Sequence, residues 1–253
     1  MDIIDAYTHC GLSKYEPIDQ VRRVMKHAGV GRAVLAQHLG EFNNDYIGGI
    51  AADDPDHFAA VCMVDHTAAD RVAVLRRLAD SGRIRGLRLT TDACAAAPDL
   101  MAAAADAGLV IVLYAPDGIE HFVDKLDRFL DVHAGARVVV THMGSPDLSK
   151  APDLADNQRV FELSRHRGLY YQVSGMKMVC PHPHEQLHGL IETACERFGS
   201  KQLVWGSNYP VVGGQTDYAM DLHLLLDGKL PVPADAIPLI AGENARRLWF
   251  EVA

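Results

Sequence analysis

Eight short runs rich in apolar and β-branched residues recur along the chain. They lie at 2–7 (DIIDAY), 31–36 (GRAVLA), 58–64 (FAAVCMV), 84–89 (IRGLRL), 109–114 (LVIVLY), 136–141 (ARVVVT), 169–174 (LYYQVS) and 202–206 (QLVWG). Between them the apolar residues take helical spacing: Ile18/Val21/Met25, Val72/Leu75/Leu78, Phe122/Leu126/Phe129 and Leu187/Leu190/Ile191/Ala194. Several runs are apolar throughout rather than alternating, the mark of parallel strands covered on both faces. Pro17 and Pro98 stand where a first helical turn begins. Gly29, Gly82, Gly108, Gly135, Gly168 and Gly199 each precede a run, in the place of residues that end helices. Eight strand–helix units predict a (β/α)8 TIM barrel, a single domain over 1–253. An open doubly wound sheet is the alternative. No GxGxxG or GxxxxGK[ST] follows any run, so dinucleotide and P-loop readings lack support.

Composition narrows the function classes. The chain has 253 residues, 49% of them apolar. At this length folding buries roughly 70–75% of the unfolded surface, so no metal or disulfide is needed to hold a core. Lys and Arg number 24 against 33 Asp and Glu, a net charge of −9. That argues against nucleic-acid binding, which needs a basic face. The longest apolar run, Leu109 to Ala115, is far short of a bilayer span, so no membrane association is expected. The N-terminus has no basic segment of the signal-peptide kind. Cys10, Cys62, Cys94, Cys180 and Cys195 are odd in number and form no CxxC pair, which points to a reducing, cytoplasmic compartment.

A barrel of this kind works at the C-terminal ends of its strands. Those ends carry Tyr7-Thr8-His9, Gln37-His38, Asp65-His66, Arg88, Tyr114, His142, Ser174 followed by Lys177, and Ser207-Asn208-Tyr209-Pro210. Groups able to hydrogen-bond and transfer protons therefore gather on one rim.

Five ordered segments resemble one family. IIDAYTHCG resembles the Asp-x-His-x-His opening of the amidohydrolase superfamily, and VVVTHMG its strand-6 histidine segment. LYYQVSG, LVWGSNYPV and GENARRLWF resemble the strand-7, strand-8 and terminal-helix segments of the amidohydrolase-2 branch. The resemblance spans residues 2 to 250 and implies a (β/α)8 barrel. It also implies chemistry of the kind found in pyrone dicarboxylate lactonases, sugar lactonases and metal-dependent decarboxylases. Metal-dependent members typically hold an ion with two strand-1 histidines, a strand-5 histidine and a strand-8 aspartate. Here those positions read Tyr7, His9, Tyr114 and Asn208. Neutral phenols and an amide are poor substitutes for imidazole and carboxylate ligands. No tightly held zinc or other cofactor is expected.

The expected activity is hydrolysis of a small, carboxylated cyclic ester without metal. His142 is the first choice for the base that activates water, with His9 as its partner. Tyr7 and Asn208 would donate hydrogen bonds to a developing oxyanion. Arg88 and Lys177 are candidate cations for a substrate carboxylate, and Tyr114 and Ser174 candidate contacts. Each has a plainer reading: a salt bridge inside the barrel for Arg88, a solvated charge for Lys177, packing for the tyrosines, a turn brace for Asn208. A decarboxylase or dehydratase-type lyase and a silent ligand-binding barrel are the alternatives. The partner expected is a small molecule, and self-association is implied by the resemblance alone. His184-Glu185-Gln186-Leu187-His188 formally matches HExxH, but it follows strand 7 of a barrel whose other segments point elsewhere, so a loop opening a helix is the favoured reading.

Overall fold

The computed structural model describes residues 1–150 and 154–251. All eight predicted strands are present: β1 (Ile4–Thr8), β2 (Arg32–Ala36), β3 (Phe58–Cys62), β4 (Gly86–Thr90), β5 (Val110–Tyr114), β6 (Arg137–Val140), β7 (Leu169–Val173) and β8 (Leu203–Trp205). They pair in parallel, each with the next, in one eight-stranded sheet. Each of the four helical spacings forms a helix: α1 (Ile18–Ala28), α3 (Arg71–Asp80), α6 (Val123–Val132) and α9 (His188–Phe198). The others are α2 (Asp45–Asp53), α4 (Thr91–Ala96), α5 (Pro98–Asp106), α7 (Ala155–Gln158), α8 (Met176–Val179), α10 (Gln215–Leu226) and α11 (Asn244–Trp249). The chain is a (β/α)8 barrel, and the open-sheet alternative falls.

Alternation along the strands sorts the core into two shells. Ile4, Val34, Ala36, Ala59, Val61, Val110, Val112, Val139 and Val204 fill the interior with Leu248 and Trp249 of α11. Leu35, Cys62, Leu87, Leu89, Ile111, Leu113, Val138 and Trp205 face the helices. Both strand faces are thus buried, which is why the runs lack polar alternation. Trp249 closes the N-terminal end so tightly that a Cβ on Gly86 would lie 2.9 Å from its ring. Gly135 and Gly168 correct part of the helix-ending expectation: neither is left-handed. At Gly168 the requirement is close approach, since a Cβ there would meet the Ala136 carbonyl oxygen.

Two local features aim the rim. Between the Asp5–Ala33 and Thr8–Leu35 pairs β1 accommodates one extra residue. Such a bulge resets which side chains point inward, and after it Tyr7 joins the interior cluster. The seam between β1 and β8 is closed by Asn208 N–H to Tyr7 O (2.8 Å) and His9 N–H to Tyr209 O (2.8 Å). The buried Asp5 carboxylate reinforces it, accepting from Ser207 N–H (2.8 Å), Ser207 Oγ–H (2.6 Å) and Tyr7 N–H (3.1 Å). Burial nevertheless raises its pKa to about 6.

Candidate active site

The interior becomes polar toward the C-terminal ends of the strands. Tyr7, His9, Arg88, His142, Ser174 and Asn208 are all buried there. The Tyr7 ring stands edge-on to both histidines, 4.9 Å from His9 and 5.0 Å from His142. The Tyr114 ring lies 5.5 Å from His142. The Arg88 guanidinium lies over the rings of Tyr7 and Tyr114, at 5.5 and 5.7 Å. Seven of the eight predicted site residues therefore converge: Tyr7, His9, Arg88, Tyr114, His142, Ser174 and Asn208.

Each imidazole is held by its Nδ1. His9 Nδ1 donates to the Ala36 carbonyl oxygen at 2.6 Å. A carbonyl only accepts, so His9 carries its proton on Nδ1. Its Nε2 side meets the Asn208 side chain, whose Nδ2 also lies 3.0 Å from the Met178 sulfur. The other face of His9 stacks on Tyr15 at 4.9 Å. His142 Nδ1 lies 2.9 Å from Ser174 Oγ. His142, Met143 and Ser145 are left-handed, with φ of 54°, 55° and 55°. That costs roughly 1–2 kcal/mol per residue. Tyr171 Oη–H to Met143 O (2.8 Å) and Asn157 Nδ2–H to Gly144 O (3.2 Å) hold the turn in place. Backbone strain of this kind concentrates at functional sites.

The electrostatics favour neutral histidines beside the Arg88 cation. Burial, assisted by Arg88, depresses the His142 pKa to about 3 and that of His9 well below its ordinary value. Burial lifts Tyr7 to about 12 even though Arg88 pulls the other way. Tyr7 is thus a phenol, and its hydroxyl is buried without a hydrogen-bond partner among the described residues. Arg88 uses Nη1 on the Gln37 carbonyl (2.7 Å), while its Nε–H has no acceptor among the described residues. Among the described residues no carboxylate pairs with it, so the salt-bridge reading fails. Above this layer opens a cavity of about 580 Å³, walled by Tyr114, His142, Ser145, Lys150, Gly175 and Met178. Ser145 Oγ is a third buried polar atom of this region without a partner among the described residues.

Two expectations need correction. Lys177 does not reach the cavity; it pairs with Asp217 at the surface, because the short helix α8 turns its side chain outward. The Ser174 hydroxyl is not free for substrate: it donates to Gln172 Oε1 (3.0 Å) and accepts from His142. The HExxH match has no zinc-binding geometry. His184 is left-handed, 185–187 is a 3₁₀ turn and α9 begins only at His188, so the two histidines share no helical face. His184 is instead buried between Cys180 O (2.8 Å) and Asp221 Oδ1 (3.1 Å).

Two contributors escaped the sequence reading. Gln172 interrupts the otherwise apolar β7 run, which is a visible signal. Tyr15 lies in a loop and carries none.

The donors at the family's metal positions are one imidazole, two phenols and an amide, next to a guanidinium. A catalytic zinc takes three imidazole, thiolate or carboxylate ligands, so this set does not fit one. Among the described residues, Asp127, Asp131 and His166 are the group of three whose ligand atoms come together. They lie elsewhere on the surface, with Arg165 already on both carboxylates.

Comparison with known proteins agrees with this architecture. An L-fucono-1,5-lactonase of Burkholderia ambifaria is 26% identical over 215 residues, covering 81% of this chain and 71% of the relative. A Pseudomonas putida structure described as a 2-pyrone-4,6-dicarboxylic acid hydrolase superposes with a TM-score of 0.79 at 20% identity, covering 100% of this chain and 99% of its own. An Acinetobacter baumannii structure described in the same way, with citric acid bound, has a TM-score of 0.77 at 18% identity, covering 98% and 99%. The amidohydrolase family profile matches residues 9–250, nearly the whole barrel, and the chain belongs to that family of enzymes.

Proposed function

We propose that this protein is a lactonase-like hydrolase of a small, carboxylated cyclic ester, working without a bound metal. The observation that carries this reading is Arg88: a buried guanidinium with no carboxylate partner and an unpaired Nε–H among the described residues, lying over Tyr7 and Tyr114, the two rings that flank His142. A planar carboxylate fits a guanidinium edge in a fork, and bound there it supplies the missing counter-charge. The similarity to a sugar lactonase and to a barrel described as a pyrone dicarboxylic acid hydrolase supports the same class.

The chemistry follows from the protonation states. His142 Nε2 takes a proton from water as the water oxygen attacks the ring carbonyl carbon. The Tyr7 hydroxyl donates to the oxyanion that forms, joined by the Asn208 amide, whose second N–H leaves the weakly accepting Met178 sulfur for it. Collapse breaks the ring C–O bond, and the imidazolium returns its proton to the leaving oxygen. The product is an open-chain hydroxy acid. His9, held neutral next to Asn208, keeps that amide in place. Burial is the main cause of the low His142 pKa, and Arg88 adds to it. A substrate carboxylate on Arg88 offsets the second cause, so binding makes His142 a stronger base.

The five unpaired cysteines, four of them buried, fit the reducing cytoplasm as the location of this activity.

The test is a panel of five- and six-membered lactones, with and without a ring carboxylate, followed by proton release. Enzyme dialysed against chelator is expected to hydrolyse the carboxylated members, and His142→Ala to lose this. Turnover that needs added metal, release of CO₂ in place of ring opening, or tight anion binding with no turnover of any lactone overturns the proposal.

A further inference from the structure

Behind His142 runs a chain of hydrogen bonds through residues that do not line the cavity. Its far end is the Ala6 carbonyl oxygen in β1, which can only accept. Gln172 Nε2 lies 3.2 Å from it and therefore donates. That orients the amide with Oε1 toward Ser174, at 3.0 Å from Oγ. Oε1 also can only accept, so it takes the one hydroxyl proton of Ser174. Both lone pairs of Oγ are then left for donors. The His142 backbone N–H takes one at 3.2 Å, and Nδ1 faces the other at 2.9 Å.

We propose that Gln172, acting through Ser174, is a positioning residue that fixes His142 as its Nδ1–H tautomer and keeps Nε2 as the bare nitrogen. A serine alone does not impose this. Its hydroxyl donates or accepts equally well, and a serine that donated to Nδ1 would leave the proton on Nε2. The imidazole would then have no lone pair to offer a water in the cavity. Gln172 removes that choice because its own orientation is set by a backbone carbonyl. The chain joins three strands: β1 sets the amide, β7 carries the relay, and the base stands at the end of β6. Neither Gln172 nor Ser174 touches substrate in this scheme.

The catalytic meaning rests on the reading of His142 as the base, whereas the tautomer does not. The experiment keeps the two apart. Full-length protein with ¹⁵N-labelled histidine rings is measured by long-range proton–nitrogen correlation, with His142 assigned by its loss in His142→Gln. Wild type is expected to show protonated Nδ1 and bare Nε2 at His142 at neutral pH. Ser174→Ala and Gln172→Leu should shift the signal toward the Nε2–H form, and Ser174→Thr, which keeps the hydroxyl, should restore the wild-type pattern. With a carboxylated lactone, kcat should fall roughly 10- to 100-fold in the first two variants, with KM within about twofold; this is less than the roughly 10²- to 10⁴-fold of a lost general base, because a fraction of His142 keeps the Nδ1–H form. A protonated Nε2 in the wild type, where no variant needs to fold, overturns the proposal. So does an unchanged tautomer in both Ser174→Ala and Gln172→Leu. If the tautomers behave as expected but no lactone is hydrolysed, the relay stands and the lactonase reading falls.

Discussion

The Arg88 Nη1 donates to the Gln37 carbonyl oxygen at 2.7 Å, tying the middle of β4 to the residue that follows β2. The Nε–H of the same guanidinium is unpaired among the described residues. A neutral acceptor does not balance a buried cation. The arrangement is costly in the empty protein and favourable once an anion binds.

Arg88→Met should therefore separate stability from function. We expect the melting temperature of the empty protein to rise by a few degrees, as when an unpaired buried charge is replaced by an apolar chain. kcat/KM for a carboxylated lactone should fall about 100-fold, the order of one lost charge-assisted pair. An uncharged lactone should lose far less. Calorimetry and steady-state kinetics on both substrates check this. A drop in melting temperature with equal losses on both substrates would contradict it.

The buried histidines set the acid limit. His142 titrates near 3 in the fold against an ordinary 6.5. Between those values the unfolded chain binds a proton that the folded chain does not, so stability rises with pH. The contribution is complete above 6.5 and is lost as the pH falls toward 3; at 1.36 kcal/mol per unit it amounts to about 5 kcal/mol. His9 acts with the same sign. Asp5, raised from 3.8 to about 6, acts oppositely: its contribution is complete below 3.8 and lost as the pH rises through 6. Two histidines outweigh one carboxyl. Unfolding measured from pH 7 to 4 should show falling stability, shallower in His142→Gln and steeper in Asp5→Asn.

The Lys177–Asp217 pair lies at the surface, with the lysine side chain 43% exposed. Exposed pairs contribute between about 0 and 1 kcal/mol. Lys177→Met should cost no more than that in urea unfolding. It should change kcat/KM for carboxylated lactones less than about twofold. A loss comparable to that of Arg88→Met would return Lys177 to the substrate.

The two histidines of the HExxH match should part company. His184 is fully buried against Asp221, itself buried. His184→Ala leaves that carboxylate unpartnered and should cost about 3–5 kcal/mol. His188 has a buried Nε2 with no partner among the described residues. His188→Leu removes that orphan and should change stability by less than about 1 kcal/mol. Thermal unfolding of both variants decides the matter; equal losses would point to a shared role.

Much of this protein is legible as a string of letters. The eight apolar runs mark eight strands because a strand buried on both faces tolerates no polar alternation. Tyr7, His9, Arg88, Tyr114, His142 and Asn208 are legible as a group because a parallel barrel brings all strand ends to one rim, so topology alone assembles them. Ser174 also sits on that rim, but sequence does not say whether a hydroxyl faces substrate or a neighbouring ring. Lys177 fails for a related reason: it follows β7 closely, yet the short helix α8 sends it to Asp217.

Strand count, barrel class and the rim's inventory of side chains follow from local patterning, since periodicity and burial are properties of neighbouring residues. Which groups are partnered follows from contacts between residues far apart in the chain. The lone Arg88, the chain from Ala6 through Gln172 and Ser174 to His142, and the Asp5 bridge across the seam are all of this second kind. Hydrogen-bond geometry and desolvation depend on distances of a few tenths of an ångström, which only the packed barrel specifies.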